Sequence, residues 1–332
     1  MIIVLEYAIA LLASFSAVLA SCPLLIRSAW KHNVLERDSN KSGKPQVAGL
    51  GGFSLYGGLA AGILCVVLYQ VFLANDTAHL GLLLAGLASI SILSLIGIFD
   101  DVFKLSRSMK SILPLIGSFP LLAVKAGKGF LSFPFIKTIH FGLAYNLILV
   151  PLGVTGAANA VNMSAGYNGL EAGIGAVASF FLILIGLQAH APLAGMVILF
   201  ACLGACLAFL LFNFYPAKVF PGDIGTLAIG AGIAAGVILC GLEEYGAIIL
   251  LPAFYELTAT VYYSLKGVER RSACHNPVIR FDGKLTPPKG AENYTLFYKI
   301  LSKKPMTERN LVLVALSIYS LCGLIALAVY YF

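Results

Sequence analysis

Charge is what this sequence has least of. Asp, Glu, Lys and Arg make up 11% of its 332 residues, where an average soluble domain carries about 25%. A soluble fold of this size needs more polar surface than 22 bases and 15 acids supply. The scarcity excludes a soluble globular enzyme, a disordered chain and a nucleic-acid-binding protein. Zinc-ligand spacing is also lacking among the seven cysteines, most of which lie in apolar stretches, so they read as small core residues. The first apolar segment has no small-residue cleavage site and is too long for a removed leader, so it reads as a retained helix. No internal repeat or low-complexity stretch stands out.

What the chain has instead is 59% hydrophobic residues, a mean hydropathy of +0.92 and 34 glycines. Glycine is frequent in membrane helices because it lets them pack closely. A span needs ~20 apolar residues. About ten segments qualify: 3–24, 48–74, 80–99, 111–126, 142–158, 169–188, 192–213, 223–241, 246–266 and 309–331, the fourth of them short and holding Pro114 and Pro120. The fold class is an all-α polytopic membrane protein, a single integral domain over 1–332. Alternate loops carry 19 and 3 Lys/Arg. The positive-inside rule makes the first set cytoplasmic and places both termini on the non-cytoplasmic side. Segment 129–141, rich in aromatic and β-branched residues, reads as a short outer β-hairpin. The long cytoplasmic loop 267–308 is the only stretch of ordinary soluble composition.

The few polar residues gather in the loops of one side. Asp100 and Asp101 end the third apolar segment. Two acids at a helix C-terminus oppose its dipole, at roughly 0.3–1 kcal/mol each, and repel each other. A divalent cation or a cationic substrate complex would explain them; a solvated stop to the helix is the bland alternative. Lys104, Arg107 and Lys110 follow. Acids that hold a cation beside bases that hold phosphate suit a nucleotide diphosphate with Mg²⁺. Asn159 and Asn162 share a helical face by their spacing, and an Asn carbonyl is a hard oxygen ligand; helix–helix hydrogen bonding is the other reading. Asp223 follows a Pro-Gly turn just before an apolar segment, where it is either a helix N-cap or an aimed carboxylate, with Lys218 the only base in its loop. The 267–308 loop carries His275, Asn276, Pro277 and Arg280, either a sugar-phosphate surface or a grip on anionic headgroups. Glu256 sits mid-segment, either functional or protonated and packed inside the bundle.

Four stretches, Gly97-Ile-Phe-Asp-Asp-Val-Phe-Lys-Leu105, Asn159-Ala-Val-Asn162, Asn168-Gly-Leu-Glu171 and Asn213-Phe-Tyr-Pro-Ala-Lys-Val-Phe-Pro-Gly-Asp223, occur in order and all in cytoplasmic positions. Together they resemble the polyprenyl-phosphate N-acetylhexosamine-1-phosphate transferases, over most of the chain from Asp38-Ser-Asn-Lys41 to the last span. Within that superfamily the chain looks most similar to the eukaryotic and archaeal UDP-N-acetylglucosamine:dolichyl-phosphate enzymes. The resemblance implies Mg²⁺, with Mn²⁺ as a substitute, on Asn162 and Asp223. It implies catalytic roles for Asp100 and Asp101 and a diphosphate contact for Lys110. Asn168 matches an amide near the uracil, and the stretch from Gln46 through Leu50 to Gly52 matches the lining of the nucleoside pocket. Lys104 matches the Asp-Asp-x-x-Lys form of the bacterial branch. The eukaryotic Arg-His-Arg-x-Pro-Arg run is reduced here to Cys274–Arg280, with His275 and Arg280 as the equivalents; the three-histidine pattern of the muramoyl-pentapeptide transferases is absent.

The expected activity is transfer of N-acetylglucosamine 1-phosphate from UDP-N-acetylglucosamine to a polyprenyl (dolichyl) phosphate, with release of UMP, the first membrane step of lipid-linked oligosaccharide synthesis for N-glycosylation. The expected site is on the cytoplasmic face of a cell membrane or, in a eukaryote, of the endoplasmic reticulum. The bilayer is then a partner and nucleic acid is not; a homodimer is one open assembly. Alternatives are another UDP-sugar or undecaprenyl phosphate, and, in a different class, a transporter.

Overall fold

The computed structural model describes residues 2–132, 138–267 and 277–331. Helix α1 (Ile2–Lys31) leads through the antiparallel strands β1 (Leu35–Arg37) and β2 (Gln46–Ala48) to α2 (Gly52–Tyr69), prolonged by a wide π turn over Gln70–Ala74. Helix α3 (Leu80–Phe103) is followed by α4 (Arg107–Ile112), a 3₁₀ stretch (Leu113–Ser118) and α5 (Phe119–Ala123). Strands β3 (Phe130–Leu131) and β4 (Ile139–His140) pair antiparallel, Phe130 opposite His140, as the hairpin expectation has it, although 133–137 lie outside the described residues. A π turn over Tyr145–Leu149 opens α6 (Val150–Ser164); α7 (Leu170–Gln188), α8 (Leu193–Asn213) and α9 (Gly222–Cys240) follow. Then come α10 (Glu243–Ile249), α11 (Leu251–Leu265), strands β5 (Val278–Ile279) and β6 (Leu285–Thr286), α12 (Leu296–Lys303) and α13 (Glu308–Tyr331).

The protein is an all-α polytopic membrane protein. Eight helices among the described residues are long and apolar enough to cross a membrane. The pair α10–α11, bent by 67°, makes a ninth if counted as one span. Together with one shorter apolar run, this is close to the expected count of about ten, of which the fourth is short. The fourth expected segment is a broken apolar run over Ser108–Ala123. Pro114 and Pro120 lie in it, each without an N–H for the α-helical ladder. At 1.5 Å per residue the run falls short of a ~30 Å hydrocarbon core. Its ends still reach opposite ends of the bundle: Lys110 pairs with Asp100 at the end of α3, and the Ala126 carbonyl accepts from Asn146 at the start of α6.

Helix directions follow from such contacts. The C-terminal ends of α3 and α6 meet the N-terminal end of α9. Lys41, in the loop between β1 and β2 that follows α1, pairs with Glu308 at the start of α13. The start of α1 and the end of α13 therefore lie at the end of the bundle away from these polar contacts.

Helix α9 is the axis of the bundle, with every residue from Ile224 to Cys240 buried. A helix that is apolar all round belongs in the interior, and this one is thin: Gly and Ala recur along Gly225–Gly236. At Gly230 a β-carbon would lie 2.5 Å from the Ala158 Cα of α6. Small residues let membrane helices approach to backbone contact. Gly230→Val should therefore force α9 off α6 and destabilise by about 1–3 kcal/mol, the usual cost of overpacking. Thermal unfolding in detergent checks this: a lower midpoint is expected for Gly230→Val, and no lowering for Gly57→Ala, which faces open space.

Candidate active site

The polar residues at the end of α3 are turned two ways. Asp100 is buried, and its Oδ2 pairs with the Lys110 ammonium at 2.6 Å. Its Oδ1 accepts the Leu105 N–H at 3.1 Å, across a turn made by Lys104 in the left-handed region at φ 51°. The backbone N–H of Lys104 closes α3 on the Asp100 carbonyl at 2.8 Å, while its side chain is exposed. Asp101 faces α9 instead: its Oδ1 accepts the Asp223 N–H at 3.2 Å, and its Oδ2 lies 3.5 Å from the Ile224 nitrogen. The unfavourable dipole at the end of α3 is offset by a lysine on one side and a helix N-terminus on the other.

Asp223 sits in the first turn of α9, whose N-cap position is Pro221, without a side-chain cap. The Asp223 carboxylate does not cap its own helix. Its Oδ1 accepts from the Asn162 amide at 2.7 Å, and its Oδ2 lies 3.7 Å from the Lys110 ammonium. The Asn162 amide also donates to the Thr226 hydroxyl at 2.8 Å. Asn159 lies one turn earlier on α6 and lines the same small cleft as Asp100, Lys110 and Asn162, with Ile96, Met163 and Leu227 as its apolar wall. Two acids, a lysine and two amides, drawn from four stretches of chain, thus converge on one point.

Gln46 and Leu50 belong to the segment that braces this point. The backbone of Ala48 bridges to Val219, and the Gly51 N–H donates to the Phe220 carbonyl at 2.8 Å. Leu50 takes a positive φ of 60° between them. Lys218 gives its carbonyl to this bridge, with an exposed side chain.

Asn168 is placed in a second, internal network. Its side-chain oxygen accepts from Lys41 at 2.5 Å and from the Ala217 N–H at 2.8 Å; its amide donates to Asp38 at 3.1 Å. Glu308 accepts the Asn168 N–H at 2.8 Å through one oxygen and pairs with Lys41 at 3.2 Å through the other. Lys41 also pairs with Asp38 and lies over the Tyr215 ring. Glu171 accepts the Gly166 N–H at 2.9 Å and so holds the turn before Asn168.

Other expected residues stand apart. Arg280 is at the β5–β6 turn, 3.7 Å from Asp282. Hydrogen bonding from Lys284, with the Arg280 charge beside it, holds that aspartate below the usual carboxylate range. His275 lies outside the described residues. Glu256 is buried, and its Oε2 accepts the Leu296 N–H at 2.8 Å. It secures the start of α12 and lies outside the cluster. Thr226, Asp38, Lys41 and Glu308 were not singled out from the sequence as site residues. The Asp223-x-x-Thr226 spacing, one helical turn, could have pointed to the first; nothing local signals Glu308, which lies 267 residues from Lys41.

Among the described residues no group of three or more His, Cys, Asp or Glu converges as a metal cage. Mg²⁺ does not require one: it commonly takes one or two protein oxygens and completes its shell with water and substrate phosphates. The Asp223 carboxylate and the side-chain oxygen of Asn162, whose amide nitrogen donates to Asp223, are hard oxygens of the type Mg²⁺ takes.

Fold and cluster together define a polytopic membrane protein with a charged, amide-rich cleft at one end of its helices. The sequence profile of glycosyl transferase family 4 matches residues 83–241, the stretch that holds Asp100, Asp101, Lys110, Asn162 and Asp223. The chain is 34% identical over 267 residues, 80% of its length and 81% of the relative's, to a Saccharolobus solfataricus protein provisionally named UDP-N-acetylglucosamine–dolichyl-phosphate N-acetylglucosaminephosphotransferase. It is 33% identical to the phospho-N-acetylmuramoyl-pentapeptide-transferase of Desulforudis audaxviator, over 72% of this chain and 77% of that one. It is 26% identical to the UDP-N-acetylglucosamine–dolichyl-phosphate N-acetylglucosaminephosphotransferase of Dictyostelium discoideum, over 90% and 82%. The chain belongs to glycosyl transferase family 4.

The internal network yields a prediction. Glu308→Ala removes one of the two carboxylates paired with Lys41, which keeps Asp38, and takes the acceptor from the buried Asn168 N–H; leaving a buried donor unsatisfied costs about 1–3 kcal/mol. A markedly lower thermal midpoint is expected for Glu308→Ala in purified protein; an unchanged midpoint would contradict the network.

Proposed function

We propose that the protein transfers N-acetylglucosamine 1-phosphate from UDP-N-acetylglucosamine to a dolichyl-type polyprenyl phosphate and releases UMP. The observation that carries this reading is the meeting of Lys110 and Asp100 with Asn162 and Asp223 at one point. The names of the Saccharolobus and Dictyostelium relatives support the donor and acceptor. The 19-to-3 split of Lys and Arg supports a cytoplasmic site.

A phosphate oxygen of the prenyl phosphate attacks the β-phosphorus of the donor, and the bond to UMP breaks. A phosphate monoester has its second pKa near ~6, so the nucleophile is already mostly dianionic at neutral pH. Asp100 need not remove a proton; paired with Lys110, it fixes where that ammonium points. Lys110 then meets the negative charge that spreads over the transferring phosphoryl group. Asn162 and Asp223 would hold Mg²⁺, with Mn²⁺ as a substitute, which when bound neutralises diphosphate charge. Thr226 orients the Asn162 amide by a hydrogen bond.

The Desulforudis relative, by name a phospho-N-acetylmuramoyl-pentapeptide-transferase, keeps a muramoyl-pentapeptide donor in view. The lone His275 in the last long loop speaks against it. The transporter reading rests on the number of spans and on Glu256, and the bond from the Leu296 N–H to Glu256 supports a structural role for that acid instead.

Asp223→Asn and Lys110→Met should each lower UMP release from UDP-N-acetylglucosamine and prenyl phosphate by about 10²–10³-fold, the scale for removing one preorganised electrostatic group. Asp100→Asn should lower it less and leave the neutral-to-alkaline pH profile flat. Full activity of Asp223→Asn would overturn the metal assignment.

A further inference from the structure

The two adjacent aspartates have opposite surroundings. Asp100 faces the cleft and Lys110. Asp101 faces the backbone of the first turn of α9. We propose that Asp101 is a positioning residue: its carboxylate caps α9 from the end of α3 and so fixes the Asp223 side chain opposite Asn162 and Lys110. The inference rests on the transferase reading above and divides the roles within the pair.

Three observations carry it. First, α9 has no cap of its own, because Pro221 at its N-cap makes no side-chain bond. The N–H groups of Asp223 and Ile224 belong to the first turn and cannot be satisfied within the helix. The Asp101 carboxylate lies at 3.2 Å and 3.5 Å from those two nitrogens. Second, room has been left for it. Gly222 has φ +60°, and a β-carbon there would come within 2.8 Å of the Asp101 Oδ2. Third, the two helices are locked at this level. A β-carbon on Gly97 of α3 would lie 2.6 Å from the Ile224 nitrogen and 2.7 Å from the Asp223 carbonyl. The backbone that carries the Asp223 side chain is therefore held by Asp101 on one side and by the bare face of Gly97 on the other.

This arrangement separates a cap from a base or a metal ligand by chemistry. A neutral amide oxygen caps a helix about as well as a carboxylate, but it neither takes a proton nor replaces a charged ligand. Asp101→Asn should therefore rescue most of what Asp101→Ala loses.

The experiment compares wild type, Asp101→Asn and Asp101→Ala in three measurements on full-length protein in detergent. Amide hydrogen exchange over residues 221–226 should accelerate at least tenfold in Asp101→Ala and stay near wild type in Asp101→Asn. The dissociation constant for Mn²⁺, read by electron paramagnetic resonance, should weaken at least tenfold in the alanine variant and recover in the asparagine one. UMP release should follow the same order, with Asp101→Asn at least tenfold above Asp101→Ala and with the Mg²⁺ concentration for half-maximal rate shifted only in the latter. Unchanged exchange in Asp101→Ala overturns the proposal, as does an Asp101→Asn protein no better than Asp101→Ala in Mn²⁺ affinity and rate. If wild type releases no UMP, the transferase reading falls, while exchange and Mn²⁺ affinity still decide the role of Asp101.

Discussion

A helix that starts inside an apolar bundle brings unpaired N–H groups with it, and the site of this protein is arranged around one such start. Helix α9 is the buried axis, and its first turn emerges where α3 and α6 end. Its N-terminus attracts negative charge, and the C-terminal end of α3 supplies two carboxylates in need of positive surroundings. The juxtaposition answers both demands. It depends on glycine at Gly97 and Gly222, where a β-carbon would collide with the partner backbone or carboxylate. Once the two ends meet, Asp100, Lys110, Asn162 and Asp223 are brought within reach of one another.

A second layer surrounds this point. The loop after α1, the turn before α7, the stretch before α9 and the start of α13 are tied through Lys41, Asp38, Asn168 and Glu308. These are buried charges that cross large sequence distances. Such networks are costly unless fully paired, and here each member has partners. The result is a rigid polar end on a bundle whose other contacts are mostly apolar, suited to a reaction between a water-soluble donor and a membrane-held acceptor.

Much of this was legible in the sequence. Long apolar runs and the asymmetry of Lys and Arg were enough for the membrane class and for the end of the bundle where the polar residues meet. Asp100-Asp101, Asn159/Asn162 and Asp223 stood out because charge and amides are rare in this chain. The fourth segment stands out in the sequence as short and interrupted by Pro114 and Pro120, and the structure has it as a shorter apolar run over Ser108–Ala123. Glu256 is open in the sequence between a functional acid and one packed in the bundle; its partner, the Leu296 N–H, is a backbone group 40 residues away with no side-chain signature. The different orientations of Asp100 and Asp101 were hidden for a similar reason. Neighbours on a helix diverge by about 100°, but what each meets depends on which helix packs there.

The central claim, a phosphosugar transfer onto a membrane lipid, is tested most directly by the mass of the lipid product. Purified protein is incubated with Mg²⁺, a prenyl phosphate and a panel of UDP-sugars, and the lipids are analysed by mass spectrometry. The account predicts a prenyl species heavier by one phospho-N-acetylhexosamine unit, formed with UDP-N-acetylglucosamine and matched by an equal amount of UMP. An unmodified lipid with every donor, or a sugar transferred without its phosphate and with release of UDP, would contradict it.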